Sequence, residues 1–142
     1  MGTRSITRIR QDNKVLVAIY RQFDGYFSGH GKDIYDLLNE KEIVNGMRLD
    51  ADKNKIYNGP GCLAASIVAA LKKGPGGVYI VSPDAEDEEY VYEININRTQ
   101  SEKVFDISYS EPRFTIKRHD ESLLENGTLE EFEYVINGGI EE

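Results

Sequence analysis

Residues Tyr20–Lys32 read YRQFDGYFSGHGK and join an apolar run, Val15–Tyr20, to a helical pattern that begins at Lys32. A structural turn needs roughly two to five residues, whereas the interior of this segment holds three aromatic residues and three glycines. Glycines let backbone N–H groups approach a ligand closely, and flat aromatic faces can stack on a base. Two interpretations follow: a ligand-binding loop, or an aromatic loop that packs on its own domain.

A β-hairpin is predicted before this segment. Thr3–Arg10 alternates with the period of a strand, and Val15–Arg21 is apolar on both faces, as in a central strand. Gln11–Lys14 supplies turn residues between them. One face of the first strand carries Arg4, Ile6, Arg8 and Arg10.

After the segment, apolar spacing predicts three helices and four more strands. The helices are Lys32–Glu40, Cys62–Lys73 and one that begins after Thr128, whose capping box with Glu131 marks its start, and ends at Gly138. The strands are Val78–Val81, Tyr90–Ile96, Lys103–Tyr109 and Arg113–Arg118. Between the first two helices, Ile43–Met47 is a short apolar piece with an internal turn, and Asp50–Asn58 is interpreted as a polar loop.

The order β β α α β β β β α predicts an α+β fold. We expect a mainly antiparallel sheet that starts with the N-terminal hairpin, with two to three helices packed on one face. At 142 residues, the chain is interpreted as a single domain, residues 1–142.

Composition narrows the classes of function. The net charge of −8 argues against general affinity for nucleic acid or an anionic membrane. Residues 1–82 carry 12 Lys/Arg against 8 Asp/Glu, and residues 83–142 carry 5 against 17, including a run at Glu86–Glu89 that is interpreted as a solvated loop. The single cysteine excludes an internal disulfide and favours a reducing cytoplasm. The longest helical apolar stretch, Cys62–Leu71, is too short to span a bilayer, and no cofactor is predicted.

Two glycine-rich helix starts are candidate anion sites. Gly29–Lys32 follows a strand and precedes a helix, but the phosphate-loop pattern fails because Tyr26 stands where its first glycine belongs and Asp33 follows the lysine. Free N–H groups at a helix start still attract anions, both at Gly29–Lys32 and at Asn58–Cys62. The structural alternative at each place is an ordinary helix entry.

Arginines provide the best polar evidence for a binding site. Their guanidinium groups suit phosphate, and an antiparallel hairpin could bring Arg4 near Arg21. The alternative is a strand face with charges that serve solubility. The predicted ligand-binding residues are Arg4, Arg8, Arg21, Gln22, Phe23, Asp24, Gly25, Tyr26, Ser28, Gly29, His30, Gly31, Lys32, Asn58, Gly61 and Cys62.

Catalysis finds less support in the sequence. Cys62 lies at a helix start, where a thiolate is stabilised, but only His30 is a nearby candidate base. Ser28, Asp24 and His30 have the residue types of a triad, with hydrogen bonding inside the loop as the alternative. His30, His119 and the cysteine show no metal-ligand spacing, so no metal site is predicted.

Three blocks of sequence resemble a family of short, largely uncharacterised bacteriophage and prophage proteins. They are MGTRS at the start, YRQFDGYFSGHG at 20–31 and NGPGCLAASIVAALK at 58–72, and the match covers about the first 80 residues. The resemblance implies a protein made in the host bacterial cytoplasm that antagonises host defence by sequestering a nucleotide immune signal, such as a cyclic dinucleotide or an ADP-ribose derivative. The family has no established catalytic motif, so the resemblance assigns no catalytic residue.

Together these observations predict a module that binds a small anionic, nucleotide-type ligand without turnover. Phe23, Tyr26 and Phe27 would stack on a base, while arginines and glycine amides would hold phosphates. Small residues on the Cys62–Lys73 helix favour a homo-oligomer. Two alternatives stay open: a nucleotide-degrading enzyme with His30 as its acid or base, and an inhibitor that binds a host protein through its acidic half.

Overall fold

The computed structural model of the protein describes residues 2–45, 55–85, 89–100 and 107–138. In chain order its strands are β1 (Ser5–Gln11), β2 (Lys14–Arg21), β3 (Glu42–Val44), β4 (Ile56–Asn58), β5 (Val78–Val81), β6 (Tyr90–Ile96), β7 (Arg98–Gln100), β8 (Ile107–Tyr109), β9 (Arg113–Arg118) and β10 (Glu121–Gly127). Its helices are α1 (Lys32–Leu38), α2 (Gly59–Leu71) and α3 (Leu129–Ile136), and a π-helical turn, Phe27–Gly31, runs directly into α1.

Six strands form one sheet in the order β10-β9-β6-β1-β2-β5. β1 pairs with β6 in parallel, whereas every other neighbouring pair in this sheet is antiparallel. The predicted hairpin of β1 and β2 is present, and it turns at Asp12 and Asn13 with φ angles of 51° and 67°. Left-handed residues at both positions match the twist of a two-residue hairpin turn. The predicted α+β fold is confirmed.

The helices cover one face of this sheet, here called the helix face. Thr7 and Ile9 of β1 point to the helix face, and alternation directs Ile6 and Arg8 to the opposite, open face. A single buried core joins the helix face to the helices through Ile9, Ile19, Tyr92, Ile94, Phe114, Ile34, Leu63, Ile67 and Phe132.

The helix α2 is covered along one side only. Leu63, Ile67 and Leu71 are buried against the sheet, as the apolar spacing predicts, whereas Ala65 and Ala69 are exposed. The homo-oligomer expected from these small residues therefore stays a prediction. Of the helices in the described ranges, none combines the length and apolarity needed to cross a bilayer.

Several short strands are missed by the sequence patterns. β10 has the sequence ESLLENG, without period-two alternation, and its register against β9 shifts twice. β4 lies in the predicted polar loop Asp50–Asn58 and pairs in parallel with β3. The four strands predicted after the second helix do not lie side by side in sequence order: β5 pairs with β2, β6 lies between β1 and β9, and β8 pairs with β7 in a separate sheet. Predictions for residues 46–47, 50–54, 86–88 and 103–106 lie outside the described residues.

The start of α3 is fixed by the predicted capping box. Thr128 Oγ1 accepts a hydrogen bond from the Glu131 amide at 3.2 Å, and Glu131 Oε1 accepts one from the Thr128 amide at 2.9 Å. Both orphan donors of the first turn are thereby satisfied. Gly138, with a φ of 84°, follows the end of the helix.

Replacing Thr128 with alanine removes the acceptor for the Glu131 amide, so we expect the free energy of unfolding to fall by about 1 kcal/mol. Urea unfolding followed by circular dichroism measures the change. Ser122→Ala, at an exposed position of β10, is the control and should alter the free energy by less than about 0.5 kcal/mol. Equal losses in both variants would contradict the capping role.

Candidate functional site

The segment that links β2 to α1 is wound as a π-helical turn. Its amide hydrogen bonds span five residues: the Gly31 amide donates to Tyr26 O at 3.3 Å, and the Lys32 amide donates to Phe27 O. Such turns are rare and frequently occur at functional sites. This turn places His30 beneath the sheet, where its side chain is fully buried.

The His30 ring is held by β1 and β2 at the same time. Its Nε2 lies 2.6 Å from Thr7 Oγ1, and its Nδ1 lies 3.1 Å from an Arg21 guanidinium nitrogen. A guanidinium can only donate, so Nδ1 is the acceptor and Nε2 carries the proton that it donates to Thr7. The edge of the ring packs against Tyr92, with the centroids 4.9 Å apart.

Burial, followed by the charge of Arg21, lowers the pKa of His30 to about 3. The imidazole is therefore neutral at physiological pH, and both of its nitrogens are committed inside the protein. General acid–base catalysis requires the group to reach the proton that it transfers. In this structure His30 orients Arg21, and the alternative in which His30 acts as an acid or base stays a prediction.

Arg21 is the predicted site residue that reaches a hollow in the surface. Besides His30, its guanidinium donates to Asp33 Oδ2 at 2.7 Å, and its side chain is 18% exposed. The hollow has a volume of about 290 Å³ and lies between β2, α1 and the end of α2. It is lined by Arg21, Asp33, Asp36, Leu37, Ala70, Leu71 and Lys73, and is called the Arg21 pocket below.

The predicted cradle of free amides is absent from the segment. The Gly25 amide donates to Thr3 O, the Gly29 amide to Tyr26 O and the His30 amide to Asp24 O, so these donors are occupied within the chain. The glycines serve close packing instead. A Cβ on Gly25 would lie 2.8 Å from Ser5 Cβ, and one on Gly31 would lie 2.9 Å from Ile136. The packing interpretation thus accounts for the glycines.

The arginines do not converge as predicted. Arg21 pairs with Ser5 across the hairpin, and paired residues lie on the same face, which here is the helix face. Side chains alternate between the faces along a strand, so Arg8, three residues after Ser5, points to the open face. There Arg8 is held by Glu93 at 3.0 Å, by Pro83 O at 3.0 Å and by Ala85 O. Arg4 precedes β1 and is exposed.

The aromatic residues of the segment do not line the Arg21 pocket. The side chains of Phe23 and Tyr26 are 51% and 39% exposed, and the Tyr26 hydroxyl donates to Asp24. Phe27 packs edge-on against Tyr90, with centroids 5.2 Å apart, and the Arg118 guanidinium lies over its ring, 5.5 Å from the centroid.

The remaining polar residues of the segment are spread over its surface. The backbone N–H of Gln22 donates to Gly77 O at 2.8 Å. Ser28 is exposed, and Lys32 is paired with Asp36 at 2.9 Å on the surface of α1.

The second predicted anion site lies at the opposite end of α2 from the Arg21 pocket. Asn58, Gly61 and Cys62 are exposed at the start of this helix, whereas Ala70 and Lys73 line the pocket at its end. Nine residues of helix separate Gly61 from Ala70, which is roughly 14 Å along the axis. The fold therefore does not bring these three residues to the pocket.

Sequence reasoning missed Asp33, Asp36 and Lys73 as site residues. Asp33 and Asp36 occupy one side of α1, three residues apart, and Lys73 follows α2. The three-residue spacing was visible in the sequence, but the position of the end of α2 across the pocket from α1 was not. Within the described ranges, no group of three or more His, Cys, Asp or Glu residues is arranged to hold a metal ion.

Comparisons with protein-family models, with curated proteins and with solved structures each found no match to this chain. The resemblance to phage proteins therefore stays a prediction.

The burial of His30 predicts a pH-dependent stability. Because its folded pKa of about 3 lies below the ordinary value of 6.5, the unfolded chain binds more protons between these values. The stability that neutral His30 provides is complete above the unfolded pKa and is lost as pH falls, by about 2 kcal/mol at about pH 5. In His30→Gln this position does not titrate. The gap in unfolding free energy between wild type and variant should therefore narrow by that amount from about pH 8 to about pH 5.

His119→Gln, at the exposed second histidine, is the matched control and should unfold with the same pH dependence as the wild type. Ring ¹⁵N shifts of the wild type provide a second measurement, with His30 remaining neutral at about pH 5. Parallel pH curves for wild type and His30→Gln, with a protonated His30 ring, would contradict the assignment.

Proposed function

We propose that the protein binds a small anionic, nucleotide-type ligand in the Arg21 pocket and releases it unchanged. The observation that carries this proposal is the orientation of Arg21. Its guanidinium is fixed by the neutral His30 ring and by Asp33 while it lines a hollow open to solvent. A guanidinium held in this way is preorganised for a phosphate oxygen.

The lining of the pocket matches the parts of a nucleotide. Lys73 supplies a second cation and forms no ion pair with the described residues. The apolar side chains of Leu37, Ala70 and Leu71 offer a surface for a base, and Asp33 and Asp36 can accept hydrogen bonds from ribose hydroxyls. A volume of about 290 Å³ is at the lower end of ligand pockets, so one mononucleotide moiety fills it.

The proposal that the ligand leaves intact rests on the positions of His30 and Cys62, the two residues considered as catalytic groups. His30, the base nearest to Arg21 in the sequence-predicted site, is buried and neutral, and Cys62 lies at the far end of α2. Sequestration of a signal nucleotide requires only tight binding, and it agrees with the phage resemblance of the three sequence blocks. Such a protein would act in the host cytoplasm as a sink for its ligand.

Calorimetry with AMP, ADP, ADP-ribose and a cyclic dinucleotide tests this function. We expect at least one of them to bind, and Lys73→Gln to weaken that binding roughly tenfold, because a charge-assisted phosphate contact is lost. Lys14→Gln, at an exposed position on the opposite end of β2, is the matched control and should bind as the wild type does. The bound nucleotide should be recovered intact by mass spectrometry after denaturation.

Three outcomes would contradict the proposal: binding of none of these probes, equal binding by wild type and Lys73→Gln, or product beyond one equivalent per protein. Lys73 is chosen because Arg21 also supports His30, so an Arg21 variant could lose binding through unfolding alone. The melting temperature of Lys73→Gln without ligand should match that of the wild type.

A basic protein partner is the second candidate, favoured by one observation. A groove of about 540 Å³ between α1, α3 and the segment before β9 has an apolar floor of Leu38, Phe114 and Leu129. Its rim carries Glu40, Glu111, Glu130 and Glu133 against one lysine, Lys41. Binding of a host protein by this groove would weaken with salt and in Glu111→Gln, and would be indifferent to Lys73→Gln.

A further inference from the structure

A second hollow lies on the open face of the sheet, across the ends of β1, β6 and β9. Its volume is about 340 Å³, and its lining in the described part of the chain consists of polar side chains only. It is called the open-face cleft below. Arg113 and Thr115 of β9 and Glu93 and Asn95 of β6 lie opposite each other in its floor.

The cleft is electropositive in a protein whose net charge is −8. One carboxylate oxygen of Glu93 is shared by two guanidinium groups, that of Arg8 at 3.0 Å and that of Arg10 at 3.1 Å. Across the cleft, the exposed side chain of Arg113 makes no hydrogen bond or ion pair with the residues that the structure describes. The lining thus holds two guanidinium groups, those of Arg10 and Arg113, against the single carboxylate of Glu93, which leaves one positive charge in excess.

Most uncommitted polar groups of the cleft are hydrogen-bond donors. The Asn95 amide is fixed in orientation, because its oxygen accepts from the Asn13 amide at 3.0 Å and its nitrogen donates to Asn97 Oδ1 at 3.0 Å. Because Asn97 Oδ1 accepts this hydrogen bond, the Asn97 amide nitrogen is the group left to donate. Arg10 Nε is buried and has no acceptor among the residues that the structure describes.

We propose that the open-face cleft is a second binding site, which takes an oxyanion carried on a hydroxyl-rich small molecule such as a phosphosugar. Guanidinium donors select the oxyanion, and the fixed asparagine and threonine side chains pair with hydroxyls. A nucleobase is disfavoured because none of the described lining residues is aromatic or aliphatic. The site is separate from the Arg21 pocket, since Arg21 belongs to the helix face and the cleft lies on the open face.

Calorimetric titration with ribose 5-phosphate tests the proposal, with ribose and inorganic phosphate as separate arms. We expect ribose 5-phosphate to bind most tightly, and Arg113→Gln to weaken its binding at least about tenfold. Lys117→Gln is the matched control, because Lys117 is an exposed cation on the same face of β9 as Arg113. It should leave the affinity unchanged, as should Lys73→Gln in the Arg21 pocket.

If Lys117→Gln weakens ribose 5-phosphate binding as much as Arg113→Gln does, the ligand is held by general electrostatic attraction and the proposed site is wrong. Loss in Lys73→Gln would place the ligand in the Arg21 pocket, and equal affinity for inorganic phosphate would remove the phosphosugar assignment. Absence of binding by a wild type that still binds a nucleotide would overturn this proposal alone. Arg113 is exposed, so its variant should keep the melting temperature of the wild type.

Discussion

The buried hydrogen bonds of His30 are the constraint on which the rest of this structure depends. A fully buried imidazole needs partners at both nitrogens, and here Thr7 of β1 and Arg21 of β2 supply them. The pair of contacts joins the helical layer to the centre of the sheet at one point. The π-helical turn and its glycines follow from it, because the backbone must pass close to both β1 and α3 to place the ring there.

The hydrogen bonds of His30 also divide the polar groups of Tyr20–Lys32 into those that hold the fold and those that solvent can reach. The glycine amides and His30 are occupied in holding the turn on the sheet. Arg21 extends from that network into a hollow, already oriented. Side chains on the other strand face, Arg8 and Arg10, meet Glu93 instead. Strand alternation therefore divides the cations between an apolar-floored pocket and a wholly polar cleft, which suit ligands of different chemistry.

Much of the fold could be predicted because its signals are local. The hairpin follows from alternation and an Asp-Asn turn, and α3 follows from a capping box between residues three positions apart. β10 and the parallel contact of β6 with β1 could not be predicted in the same way. β10 has bulges and no alternation, and the β1–β6 pairing joins residues more than 80 positions apart, which depends on packing of the whole sheet.

The sequence by itself determined the α+β class, the hairpin and the helices. Only the tertiary structure decided where the residues of Tyr20–Lys32 lie, because no local pattern assigns them to buried or exposed positions. His30 is buried, and the glycine amides are hydrogen-bonded within the chain. Alternation along the strands places the Arg8 side chain on the face opposite that of Arg21. The fold places the end of α2 across the pocket from α1, so that Lys73 lines the same hollow as Asp33 and Arg21. Pocket walls come from segments that are distant along the chain, which local patterns do not reveal.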